Sequence, residues 1–131
     1  MSKVSSATSA NNVFREANAT YATLKTIDKL IVSSKYPMGT SSFGNCGALE
    51  NITIEGTITG NFSIQYSSKL TVESAKSIIT HLENYTGTSK EFTQAVNFHA
   101  GVWSALDAEG ATSPNGNTWR EYINDLGWNV G

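Results

Sequence analysis

The chain has 131 residues, of which 39% are hydrophobic and 15% charged, with a formal net charge of -2. That length bounds it to one domain with a modest core, and so charge-poor a composition lacks the clustered Lys and Arg that nucleic acid or an anionic membrane surface requires. Cys46 is the only cysteine, which excludes an intramolecular disulfide and a thiolate metal cluster.

Residues 1–12 are small and polar, with no basic segment leading into an apolar run. They read as neither a secretory signal nor a membrane span, and as a flexible arm with almost nothing to bury. Residues 13–22 have helix-compatible composition. The run from Ile27 to Val32 ends in the alternation of a half-buried strand, with Leu30 and Val32 inward and Ile31 on the other face. Residues 33–42, with Pro37 and Gly39, form a return loop. A second strand follows, with Ile52 and Ile54 inward and Thr53 and Glu55 outward, and Gly56 and Gly60 mark turns around Ile58. Phe62, Ile64 and Tyr66 then alternate with Ser63 and Gln65. This predicts a third strand of the same polarity, so that the exposed sheet face presents Thr53, Glu55, Ser63 and Gln65.

From Thr71 the apolar period changes from two to three and four. Thr71 reads as an N-cap with Ser74 three residues on, and Val72, Ala75, Ile78, Ile79 and Leu82 line one helical face before Tyr85 and Gly87 end the segment. Residues 91–99 predict a strand with Phe92, Val96 and Phe98 as its apolar residues. The tail predicts a helical turn over 102–108, a loop over 110–117 carrying Pro114, Asn115 and Gly116, and a short helix over 118–126. Gly127 fits its C′ position, and residues 128–130 add an edge strand.

Residues 21–56 carry one pattern twice at an offset of about 22 residues. Tyr21, Leu24, Ile27, Leu30 and Val32 match Phe43, Cys46, Leu49, Ile52 and Ile54, with Asp28 and Glu50 at the same place in each copy. The register sets Cys46 opposite Leu24 as a small buried hydrophobe. Such a period lies in the range of leucine-rich repeats, and residues 70–131 do not repeat it, as the atypical end of an array requires. The predicted fold is α/β, a short leucine-rich-repeat-like sheet closed by a helix-strand-helix cap. Residues 1–12 are the arm, 13–69 two repeat-like units, and 70–131 the cap, compact with the repeats.

Residues 42–56, with Phe43, Cys46 and the run Leu49, Ile52, Ile54 before Gly56, resemble the BspA-like class of leucine-rich repeat. Residues 70–128 are similar to the end-cap of such arrays in proteins of gut bacteria and their phages, where a Leu-Thr-x-Glu-Ser helix precedes a strand and a closing Gly-Trp. The resemblance covers roughly residues 21–130 and implies a non-enzymatic binding surface, on bacterial surface proteins or on phage virion and tail proteins. About two units and no secretory signal favour a phage particle component, assembled in the bacterial cytoplasm, over a cell-surface protein. The alternative is a carbohydrate-binding or adhesin fragment of a larger bacterial surface protein.

The residues that carry catalysis in other proteins read structurally here. His81 and His99 are the only histidines, without zinc-binding spacing, and there is no nucleophile elbow or phosphate-binding loop. Asp107 and Glu109 read as solvating a helix end rather than as a glycosidase dyad. Of the tail aromatics Trp103, Trp119, Tyr122 and Trp128, Trp103 with Leu106 and Trp119 with Tyr122, Ile123 and Leu126 are spaced as the buried faces of two short helices, although Trp and Tyr also stack on sugars. The Asn-x-Ser/Thr triplets at Asn18, Asn51, Asn61 and Asn84 follow from an Asn- and Thr-rich composition. The expectation is therefore no enzyme, cofactor or metal. It names Thr53, Glu55, Ser63, Gln65 and Trp119 as partner-binding residues for a protein or host cell-surface ligand. Open sheet edges beside the first and third strands also invite pairing with a second copy.

Overall fold

The computed structural model describes residues 3–8, 23–32, 43 and 46–131. The expected helix over 13–22, the return loop over 33–42, Tyr21 and the triplet beginning at Asn18 lie outside the described residues. Among the described residues the chain is mixed α/β, with two small parallel sheets and three helices.

The first sheet is built around β3 (Thr26–Val32), the strand with neighbours on both sides. To one side, β1 (Lys3–Val4) and β2 (Ala7–Thr8) run parallel to it, Val4 beside Ile27 and Ala7 beside Leu30. Residues 3–8 were expected within a flexible arm because they have little to bury. Backbone pairing needs no large side chain, and it occupies the edge expected to stand open beside the first strand. To the other side of β3, β4 (Asn51–Gly56) is also parallel, with Ile27 beside Ile52 and Leu30 beside Ile54.

Between those two pairs β3 has one residue more than β4, and the register shifts there. A slip of one residue would turn every later side chain to the wrong face, but a bulge absorbs it. Asp28 and Lys29 both stay exposed, while Leu30 and Val32 return to the core. The bulge also explains why the apparent offset of the repeat is displaced. It puts a three-residue step inside the strand, so Ile27, Leu30 and Val32 mimic the spacing of Leu49, Ile52 and Ile54. The pairing corrects this match by setting Ile27 against Ile52, and bonds from Glu50 N and Asn51 N to the Lys25 carbonyl bring Leu24 level with Leu49 rather than Cys46.

The far edge of β4 is closed by α1 (Val72–Ile79). As its sequence implies, Thr71 caps this helix, Oγ1 accepting from Ser74 N at 3.2 Å, and Ala75, Ile78 and Ile79 are buried. The other side of the same turn meets the strand. Ile52 N donates to Ser74 Oγ at 3.1 Å, Ile54 N donates to Ser77 Oγ at 3.3 Å, and Thr71 N donates to the Glu50 carbonyl at 2.9 Å. Serine hydroxyls thus take the donors that a further strand would have taken. The helix ends at Thr80, short of the expected Gly87, and buried Leu82 bridges to Ile58.

The third strand does not extend this sheet, contrary to expectation. Gly56 has φ +99°, and a Cβ there would lie 2.1 Å from the Val32 carbonyl oxygen, so the chain leaves the first sheet through a position that only glycine fits. β5 (Phe62–Ile64), β6 (Ala95–Phe98) and β7 (Asn129–Val130) then form a second parallel sheet in that order. All three residues of β5 are buried, Ser63 included, whereas Tyr66 lies in the following turn and is 59% exposed. The strand expected over 91–99 shrinks to β6, and Phe92 falls in a turn with φ 57° and half its surface exposed.

α2 (Ala100–Ala108) and α3 (Trp119–Asp125) lie between β6 and β7 in the chain. Thr118 and Glu121 form a capping box at the start of α3, and Gly127 takes φ +79° after its end. One continuous core joins both sheets and the three helices, with Trp128, Phe43 and Phe62 among its largest buried side chains.

Removing the Ser74 hydroxyl strands the buried Ile52 N–H. Ser74→Ala is expected to cost about 1–3 kcal/mol in urea denaturation and to speed hydrogen exchange at the Ile52 amide. Ser77→Ala, at the longer and less buried contact, is expected to cost less.

Candidate functional site

The sequence grouped Thr53, Glu55, Ser63 and Gln65 on one exposed sheet face; the structure divides them between two. Thr53 and Glu55 are exposed on β4, where alternation sends Ile52 and Ile54 inward. Around them the first sheet carries a ladder of opposite charges. Lys3 Nζ lies 2.9 Å from Asp28 Oδ2, and Lys29 Nζ lies 3.4 Å from Glu55 Oε2, so the bulge hands one charge to each neighbouring strand. Thr53 also borders a shallow concavity of about 200 Å³ between β4 and α1, lined besides by Asn51, Glu73, Ser74 and Ser77.

Ser63 and Gln65 belong instead to the second sheet. Ser63 pairs in register with Asn97, and the two line a concavity of about 280 Å³ with Asn61, Gln65, Ala95 and Gly131. Reciprocal amide bonds set its geometry. Asn61 N donates to Gln94 Oε1 at 2.9 Å, and Ala95 N donates to Asn61 Oδ1 at 2.8 Å. Asn97 Nδ2 donates to Gln65 Oε1 at 3.0 Å. Sequence reasoning missed Asn61, which stands in a glycosylation triplet, and Asn97, which stands between the apolar Val96 and Phe98 of its strand.

Trp119, named from sequence as a contact residue, is only 5% exposed. Its Nε1 donates to Thr112 Oγ1 at 3.1 Å, and Lys76 Nζ sits 5.6 Å from the ring centroid. The other tryptophans are equally engaged. Trp103 Nε1 donates to the Gly131 carbonyl with Arg120 over its ring, and Trp128 Nε1 donates to the Glu83 carbonyl while its ring stacks on Tyr85 at 5.7 Å. These are core aromatics with satisfied N–H groups. Among the described residues the large hydrophobic side chains that are exposed are Tyr66 and Phe92.

The groups weighed for catalysis are each occupied locally. His81 Nδ1 lies 2.6 Å from the Ser77 carbonyl, and His99 caps α2 by accepting from Gly101 N at 3.0 Å. Asp107 holds Arg120 through two bonds at 2.8 and 3.2 Å, and Glu109 is bonded to Lys76, whose pKa that hydrogen bond raises. Asp125 accepts from Asn115 Nδ2 and Asn117 Nδ2, which lower its pKa and tie the 110–117 loop to α3. Among the described residues no group of three or more His, Cys, Asp or Glu is placed to hold a metal ion, and no helix is long and apolar enough to cross a membrane.

Cys46 is fully buried, and burial pushes its thiol up to about 11. At pH 8 its thiolate fraction is therefore more than about 100-fold below that of an ordinary cysteine. A disulfide reagent is expected to titrate no thiol in the folded protein and one after unfolding in guanidinium. Truncation at Trp119 is expected to act on the fold: Trp119→Ala should lower stability by about 3–5 kcal/mol in denaturant melts, as loss of a buried aromatic does. No protein-family model, curated protein or solved structure matches the chain in comparisons with known proteins.

Proposed function

We propose that this chain is a non-enzymatic binding and structural module, a component of a phage virion or tail that contacts a protein or host-surface ligand through the outer face of its first sheet. The observation that carries this reading is the charge ladder of Lys3, Asp28, Lys29 and Glu55 across adjoining strands, with Thr53 beside it. Exposed pairs of this kind contribute only about 0–1 kcal/mol to stability. An alternating pattern held on strands does more for a partner, because complementary charge fixes orientation and rejects wrong surfaces. The buried residues behind these strands, Ile27, Leu30, Ile52 and Ile54 among them, hold the backbone from which the four side chains project.

The virion setting and the finer fold reading, two leucine-rich-repeat-like units with a closing cap, rest on the resemblance of residues 42–56 and 70–128. The closure of β4 by α1 supports the cap, since a repeat array must end on something other than another strand.

A charge swap tests the face without removing its internal pair. Lys29→Glu combined with Glu55→Lys is expected to leave the melting temperature unchanged and to abolish cosedimentation of the purified chain with host-cell envelopes. Equal cosedimentation of swap and wild type excludes this face. Mass spectrometry of purified virions tests the setting.

A further inference from the structure

Ser63 is only 7% exposed, and its hydroxyl has no hydrogen-bond partner among the described residues. No fully buried side-chain nitrogen or oxygen among the described residues lacks a partner, so the unbonded Ser63 Oγ is one that opens onto solvent. This one lies on the wall of the concavity over β5 and β6. Ala95 and Gly131 keep that space open, and Asn61, Gln65 and Asn97 border it. The amides are already oriented by bonds among themselves, with Asn61 Oδ1 taken by Ala95 N and Gln65 Oε1 by Asn97 Nδ2. Their remaining amide atoms, Asn61 Nδ2, Gln65 Nε2 and Asn97 Oδ1, join the Ser63 hydroxyl as donors and acceptors.

We infer that this cleft binds one neutral saccharide residue. Adjacent sugar hydroxyls each donate and accept, which matches a lining of carboxamides and a hydroxyl; the lining side chains carry no charge with which to neutralise a carboxylate or phosphate. Ala95 offers an apolar patch for the C–H face of a ring. At about 280 Å³ the space lies just below the usual span of ligand sites, roughly 300–1,000 Å³, and fits one ring rather than a chain of them. The inference rests on the binding-module reading, but on a second face, separate from the charge ladder.

The test is a titration of the ¹⁵N-labelled protein with glucose, galactose and N-acetylglucosamine, followed by amide chemical shifts. Saturable shifts at Ser63, Gln65 and Asn97 with at least one sugar, in the millimolar range, are expected. Ser63→Ala should weaken that sugar about 10-fold, and Gln65→Ala, at a half-buried turn position, provides a second variant should the first unfold. Absence of saturable shifts at these amides with all three sugars overturns the inference, as does undiminished affinity in both variants. The charge-swapped protein should titrate like wild type, so equal envelope binding of swap and wild type with intact sugar shifts overturns the first-face reading alone. Envelope binding without sugar shifts indicts only the cleft.

Discussion

Everything else in this molecule depends on how its first parallel sheet stops. A parallel strand at an edge leaves alternate N–H groups facing outward, and water or another chain takes them unless the protein supplies acceptors. Here the acceptors are two serines one turn apart on α1. Ser74 serves two purposes, since its backbone N–H is capped by Thr71 while its hydroxyl receives Ile52 N. The residues that start the helix are thus the residues that end the sheet. The same helix buries Ala75, Ile78 and Ile79 in the core shared with the second sheet.

The parts of the fold that were legible in the sequence are those whose signals are local. Thr71, Ser74 and the apolar period after them announced α1, and the alternation of Ile52 and Ile54 with Thr53 and Glu55 announced β4 and its two faces. Thr118 and Gly127 marked the ends of α3, whereas the pairing of Thr118 with Glu121 emerged only from the structure. What failed depends on contacts distant in the chain. Nothing in Phe62, Ser63 and Ile64 says that they pair with residues 96–98 rather than with β4. Burial of Ser63 follows from that pairing and not from polarity. Residues 3–8 were missed for a related reason, because side-chain composition says nothing of backbone hydrogen bonds.

The candidate surfaces show the same division. Thr53 and Glu55 were found because they alternate with buried isoleucines, but the charge ladder they join requires knowing that β1 and β4 flank β3. The cleft over the second sheet draws on residues scattered over some seventy positions of the chain, and its most informative group is a serine that the sequence assigned to solvent. Tryptophans mislead in the opposite direction. Their chemistry suits a sugar platform, yet Trp103, Trp119 and Trp128 all spend their N–H groups inside the protein.

The bulge at Asp28 and Lys29 bears on how such a chain changes length over generations. An inserted residue in a strand is ordinarily lethal to the strand, since it inverts everything downstream. In this sheet the surplus residue is parked on the solvent side and given an ion-pair partner, while the apolar rungs on either side of it stay aligned. Neighbouring segments of unequal length can therefore stack without mismatch. A residue gained or lost at that point would alter the charged outer surface and leave the apolar rungs in register, so interior and exterior are free to change independently.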